Sequence, residues 1–274
     1  MPIPFERAKA SFESKFARAQ AFVEEAETDS AIEAFGGCIT WLEELLRTDP
    51  IDPRLERWLA ISYASQAEVL SQAGKVEHAL DTYTRAESLF EQVHQRTGAS
   101  IPELSDLVMV QGKLLDALME IGDLKRIRPV ADKLEMHLGS VCFVTGQTDP
   151  GVLEIRAAGH SEVGRYFEQW GPKRKASWHQ AQAAALLENA LSFQPEDNFL
   201  HLNLAITCFL CGQSHNRIAA KPWFEKSYDL LKTLQLRIEL PPQGEQVLEK
   251  VRCSLGWEPL YGRGGQPTRV VRLG

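Results

Sequence analysis

The chain has 274 residues, 44% of them apolar and 24% charged, with a formal net charge of −7. That length can bury a large core, and the balance is that of an ordinary soluble globular protein. The acidic surplus argues against nucleic-acid binding by the whole surface, and the lack of a run of about 18 uncharged apolar residues argues against a membrane span.

The first residues, Met1-Pro2-Ile3-Pro4-Phe5-Glu6-Arg7, show no basic leader followed by an apolar stretch, so a cytoplasmic location is expected. Beyond them, apolar residues recur at intervals of three and four, the signature of amphipathic helices. Phe12, Phe16, Ala19 and Val23 share one face of a first helix, and Ala31, Phe35, Cys38, Trp41, Leu42 and Leu45 one face of a second. Helices are predicted over about 4–27, 30–47, 53–72, 76–96, 101–120, 124–138, 150–169, 173–193, 197–211 and 221–235, with a shorter one near 243–253. Ser30 with Glu33 and Ser100 with Glu103 have capping-box spacing, and Asp149-Pro150 places a cap before a proline at the first helical position. Gly74, Gly122 and Gly212 fall where helices are expected to stop. The one hint of strand alternation is Ser140-Val141-Cys142-Phe143-Val144-Thr145-Gly146. Taken in order, the first ten helices make five antiparallel hairpins.

The stretch GKVEHALDTYTRAESLFEQ, residues 74–92, sets Gly74, Ala79, Tyr83 and Ala86 at fixed intervals. Two helices approach closely only where a side chain is small, and large residues then fill the adjoining gaps. In this order the stretch resembles the tetratricopeptide repeat, a helix–turn–helix unit of about 34 residues. Over 60–93, Tyr63, Ala67 and Leu70 take the first-helix positions of that unit, while Gln66 departs from it and the closing proline is absent. A second match runs through Ala183, Leu187, Ala190 and Pro195 into Leu204, Ala205, Cys208 and Gly212, followed by an insertion at 213–220. A weaker unit over about 108–140 carries Leu114, Leu118 and Gly122, but Ile127 and Pro129 break its second-helix pattern. The resemblance implies an all-α fold: a right-handed superhelix of about five hairpins over 1–254, with an irregular Gly/Pro/Arg-rich tail over 255–274.

The resemblance also implies that a protein or peptide partner binds along the inner wall, formed by the first helix of each pair. Here that wall carries Ile61, Ala64, Ser65, Glu68, Gln111, Leu115, Leu202, Asn203 and Ile206. It lacks the Lys/Asn/Arg set with which some members of the family hold a C-terminal carboxylate. The tail, with Trp257, Tyr261, Arg263, Arg269 and Arg272, is an expected second contact with a partner. Lys125-Arg126-Ile127-Arg128 and Lys173-Arg174-Lys175 put cations in a first helical turn, where the dipole disfavours them.

Five cysteines are scattered over the chain and read as reduced thiols. Cys208, Cys211, His215 and His201 have the composition of a zinc site. Thiols beside Phe209 and Leu210 behave as small hydrophobes, however, and His201 lies two turns away, so no metal or cofactor is expected. His160, beside Ser161-Glu162, reads as a surface residue near a helix end. No nucleophile elbow, phosphate loop or His-Glu-x-x-His motif is present. The expected job is a non-enzymatic scaffold or adaptor, a subunit of a larger complex; the alternative is a helical enzyme or small-ligand sensor with an internal pocket.

Overall fold

The computed structural model describes residues 4–48, 52–98, 101–144 and 149–257. Among them lie eleven helices and no strand. They are α1 (Phe5–Glu24), α2 (Thr28–Thr48), α3 (Pro53–Gln72), α4 (Val76–Thr97), α5 (Ile101–Ile121), α6 (Leu124–Val144), α7 (Pro150–Trp170), α8 (Lys173–Phe193), α9 (Asn198–Ser214), α10 (Arg217–Gln235) and α11 (Pro242–Ser254). Two compact units divide them, α1–α6 and α7–α11.

In the first unit each helix packs on the next, and the first helices of neighbouring hairpins also meet, α1 with α3 and α3 with α5. The small-and-large alternation is what lets them do so. Ala60, Ala67, Ala79 and Ala86 are wholly buried, with Tyr63, Leu70, Leu80 and Tyr83 filling the spaces between the backbones.

The three hairpin turns of this unit are built alike. At the end of α3, Gly74 takes the left-handed conformation, φ 71°. Its N–H donates to the Ser71 carbonyl and the Lys75 N–H to the Leu70 carbonyl, the crossed pair that closes a helix C-terminus. Gly122 repeats this after α5 with φ 72°. After α1 the same role falls to Ala26, φ 57°, with Glu27 donating back to Phe22.

The second unit packs α7 on α8, α8 on α9, and α9 on α10, with α11 lying against both α9 and α10. Its turns use no left-handed residue before α11. Gly171, after α7, is extended, and Asn216 starts α10 by accepting the Ala219 N–H on its side-chain oxygen.

Several expectations are corrected here. Ser30 lies inside α2, which begins at Thr28, because the turn at Ala26 brings the chain into the helix before the supposed cap. Ser100 lies outside the described residues. The alternating segment at 140–146 is helical as far as Val144, since Leu134, Leu138 and Val141 continue one buried helical stripe. Most of the supposed insertion at 213–220 is helix: α9 runs to Ser214 and α10 begins at Arg217. Pro222 is tolerated in the second turn of α10 because it faces solvent and the carbonyl it leaves without a donor belongs to Ile218, an exposed residue. Gly212 does not end α9. It lies within the helix, where a Cβ would come within 2.4 Å of the Phe224 ring.

Candidate functional site

Only part of the expected inner wall is open. Gln111 and Leu115 are wholly buried. Gln111 sits in a polar knot between α4, α5 and α6: its Nε2 donates to Glu87 Oε1 at 3.0 Å, and its Oε1 lies 2.8 Å from His137 Nδ1. An amide oxygen only accepts, so the His137 proton is on Nδ1. Lys133 supplies the counter-charge, reaching Glu87 at 3.3 Å and Glu91 at 2.7 Å. Burial and the neighbouring His94 hold His137 below the usual histidine range. A hydrogen-bonded network of this kind orders the core, and it corrects the expectation that Gln111 faces a partner. Ala64 is buried as well, at 8% exposure, while Ile61 is half-buried.

In the second unit, Leu202 and Ile206 pack on the cluster made by Phe209, Leu231, Leu240, Val247, Leu248 and Val251. The chain's own α11 occupies that face, and Asn203 beside it is half-buried. Trp257 lies edge-on to Tyr228, ring centres 4.8 Å apart. Tyr261, Arg263, Arg269 and Arg272 lie outside the described residues.

Ser65 and Glu68 have a different setting. They border a cleft of about 310 Å³ in the first unit, between α1 and α3. The buried Phe35 of α2, with Val69 and Val23, gives it an apolar floor and side wall. Its rim is Gln20 and Glu24 from α1 and Ser65, Glu68 and Gln72 from α3. The half-exposed Glu68 receives Lys113 Nζ from α5 at 2.6 Å. Glu24 belongs to an acidic end: Glu24 and Glu25 are followed, after Ala26, by Glu27, with no basic residue in the last turn of α1. Carboxylates at a helix C-terminus add to the negative end of the dipole, so this corner attracts cations. Sequence reasoning named Ser65 and Glu68 but missed Val23, Glu24 and Phe35. The signal available was the acidic run at the end of an otherwise amphipathic helix.

The remaining candidates have structural partners. Cys208 and Cys211 are wholly buried in the α8–α9 core, where burial raises both thiols, Cys208 to about 12. His215 Nδ1 lies 2.7 Å from the Cys211 carbonyl, and His201 Nε2 lies 2.9 Å from the Pro195 carbonyl. Among the described residues no three His, Cys, Asp or Glu side chains are grouped so as to hold a metal ion, and no helix is long and apolar enough to cross a membrane. Of the basic runs, Arg126 donates to Thr84 Oγ1 at 3.2 Å, Arg128 lies 3.8 Å from Asp132, and Lys175 sits over the Phe167 ring. His160 is buried in the middle of α7 rather than exposed at its end, because the helix faces α8 there.

No protein-family profile and no curated protein sequence matches the chain. Solved structures do. The TPR-like repeats of a putative kinesin light chain from Podosopora anserina superpose with a TM-score of 0.51 at 16% identity, over 82% of this chain and 97% of that one. BtubC from P. vanneervenii superposes with a TM-score of 0.49 at 15% identity, over 99% of this chain and 98% of that one. The chain thus has the tetratricopeptide-like fold, all-α and built of antiparallel helical hairpins.

Proposed function

We propose that the protein is a non-enzymatic interaction scaffold, and that its first unit takes a segment of a partner protein across α1 and α3. The segment seats one apolar side chain in the cleft above Phe35 and Val69 and sets a lysine or arginine beside Glu24. The observation that carries this reading is the cleft itself, an apolar floor inside a polar rim that carries Glu24. Burying a leucine-sized side chain there contributes about 1.5–3 kcal/mol, whereas an exposed rim charge contributes about 1 kcal/mol or less. The anchor therefore supplies most of the affinity, and the carboxylates set orientation and association rate.

An array of short peptides, pairing Leu or Phe with Lys, Gln or Glu neighbours, tests this on the full-length chain. Binding to the basic–apolar members is expected. It should weaken at least about tenfold in Ser65→Trp, which fills the cleft, given about 1.4 kcal/mol per decade. Charge reversal in Glu24→Lys should erase the preference for basic neighbours while leaving the circular dichroism unchanged. Preference for acidic members, or binding indifferent to Ser65→Trp, overturns the reading.

A further inference from the structure

The α7–α8 hairpin places an arginine where no side chain among the described residues neutralises it. Arg156 lies on α7, one turn before His160, and only 4% of it is exposed. Its Nε and Nη1 are sealed from water and meet no acceptor, and no carboxylate among the described residues pairs with it. A guanidinium does not give up its proton inside a protein, so the charge stays. Gln180 sits against Gly164 and donates Nε2 to the Ser161 carbonyl at 3.1 Å. His160 and His179 face each other across the helices with their Nδ1 atoms 2.9 Å apart, so one donates to the other. Trp178 stands edge-on to both imidazoles and is 53% exposed, a roof between the cluster and solvent.

An uncompensated buried cation destabilises a fold until an anion reaches it. A guanidinium binds oxyanions through parallel N–H donors, a geometry that carboxylate and phosphate oxygens match. We propose that Arg156, with His160 and His179 beside it, forms a binding site for a small oxyanion, entered past Trp178. Near-complete burial limits the ligand to a group of carboxylate or phosphate size, free or at the end of a side chain. Arg156 also acts on its neighbour: burial first, then the charges of His179 and Arg156, keep His160 neutral down to about 3.

The test is an NMR titration of the histidine side chains in the full-length chain at constant ionic strength. Inorganic phosphate and acetate are the probes, against a chloride background. At least one is expected to shift the His160 and His179 resonances saturably and to raise the melting temperature by mass action. A response to phosphate alone assigns a phosphoryl ligand, and one to acetate alone a carboxylate. In Arg156→Met the response should weaken at least tenfold, with equal or greater stability in chloride because the buried charge is gone. Should that variant fail to fold, Arg156→Lys, which keeps the charge but loses the fork, should weaken the response while retaining it. Resonances that do not move with either probe, or a response that persists in Arg156→Met, overturn the proposal.

Discussion

Glycine has opposite jobs in the helical hairpins of the two units. In the first, Gly74 and Gly122 stand in open space, with no atom near where a Cβ would be, and their value is a positive φ. In the second, Gly164 and Gly212 have ordinary helical backbones. Their value is room: a Cβ on Gly164 would lie 2.6 Å from Gln180 Nε2, and one on Gly212 2.4 Å from the Phe224 ring. The first unit is therefore specified at its turns and the second along its helix contacts. The interiors differ too. The polar knot of the first unit has its counter-charge in Lys133, whereas the buried arginine of the second has none among the described residues.

The sharpest way to break this contrast is Gly212→Val. Its side chain overlaps three atoms of the Phe224 ring, and overpacking of this kind costs about 3 kcal/mol. Denaturant unfolding followed by tryptophan emission should show the loss, with Phe224→Leu in the same chain restoring part of it. Retention of full stability would mean that helix contact does not define the second unit.

Acid provides the next effect. His160 titrates near 3 in the folded chain against about 6.5 when exposed. The unfolded state thus binds the extra proton first: stability is complete above about pH 6.5 and falls as the pH drops from there towards 3. At pH 5 the loss is about 2 kcal/mol, since one proton changes stability by about 1.4 kcal/mol per pH unit. His137, also held low by burial, moves the first unit in the same direction. Amide exchange at pH 7 and pH 5 resolves the two units, and α7 and α8 should lose protection with acid.

The smallest effect is a gain. Ala26 holds a left-handed backbone that glycine adopts without a steric penalty, so Ala26→Gly should stabilise the α1–α2 turn by about 1 kcal/mol. A melting temperature that falls instead would show that the turn is not strained by its Cβ.

Much of the architecture could be read from single stretches. Tyr63, Ala67, Leu70, Gly74, Ala79, Tyr83 and Ala86 stand in an order that one hairpin's packing demands, and the contacts they make are local. The site was less legible. Ser65 and Glu68 were found as part of the inner wall that the repeat resemblance implies, but Gln111 and Leu115 came from the same reading and are buried. A periodic pattern shows that a helix has a polar stripe; it does not show whether a third helix covers that stripe. Asn216 was passed over as a cap because 213–220 was read as an insertion in the repeat frame.

The sequence by itself determined that this protein is helical, where most of its hairpins turn, and that small residues sit where rods meet, because propensity, capping and close approach act within a few residues. Only the tertiary structure decided that Gly212 makes room instead of a turn, that α11 lies over Leu202, and that Arg156 is sealed beside two histidines. Those outcomes depend on what a neighbouring helix brings from far along the chain, and no local pattern carries that information.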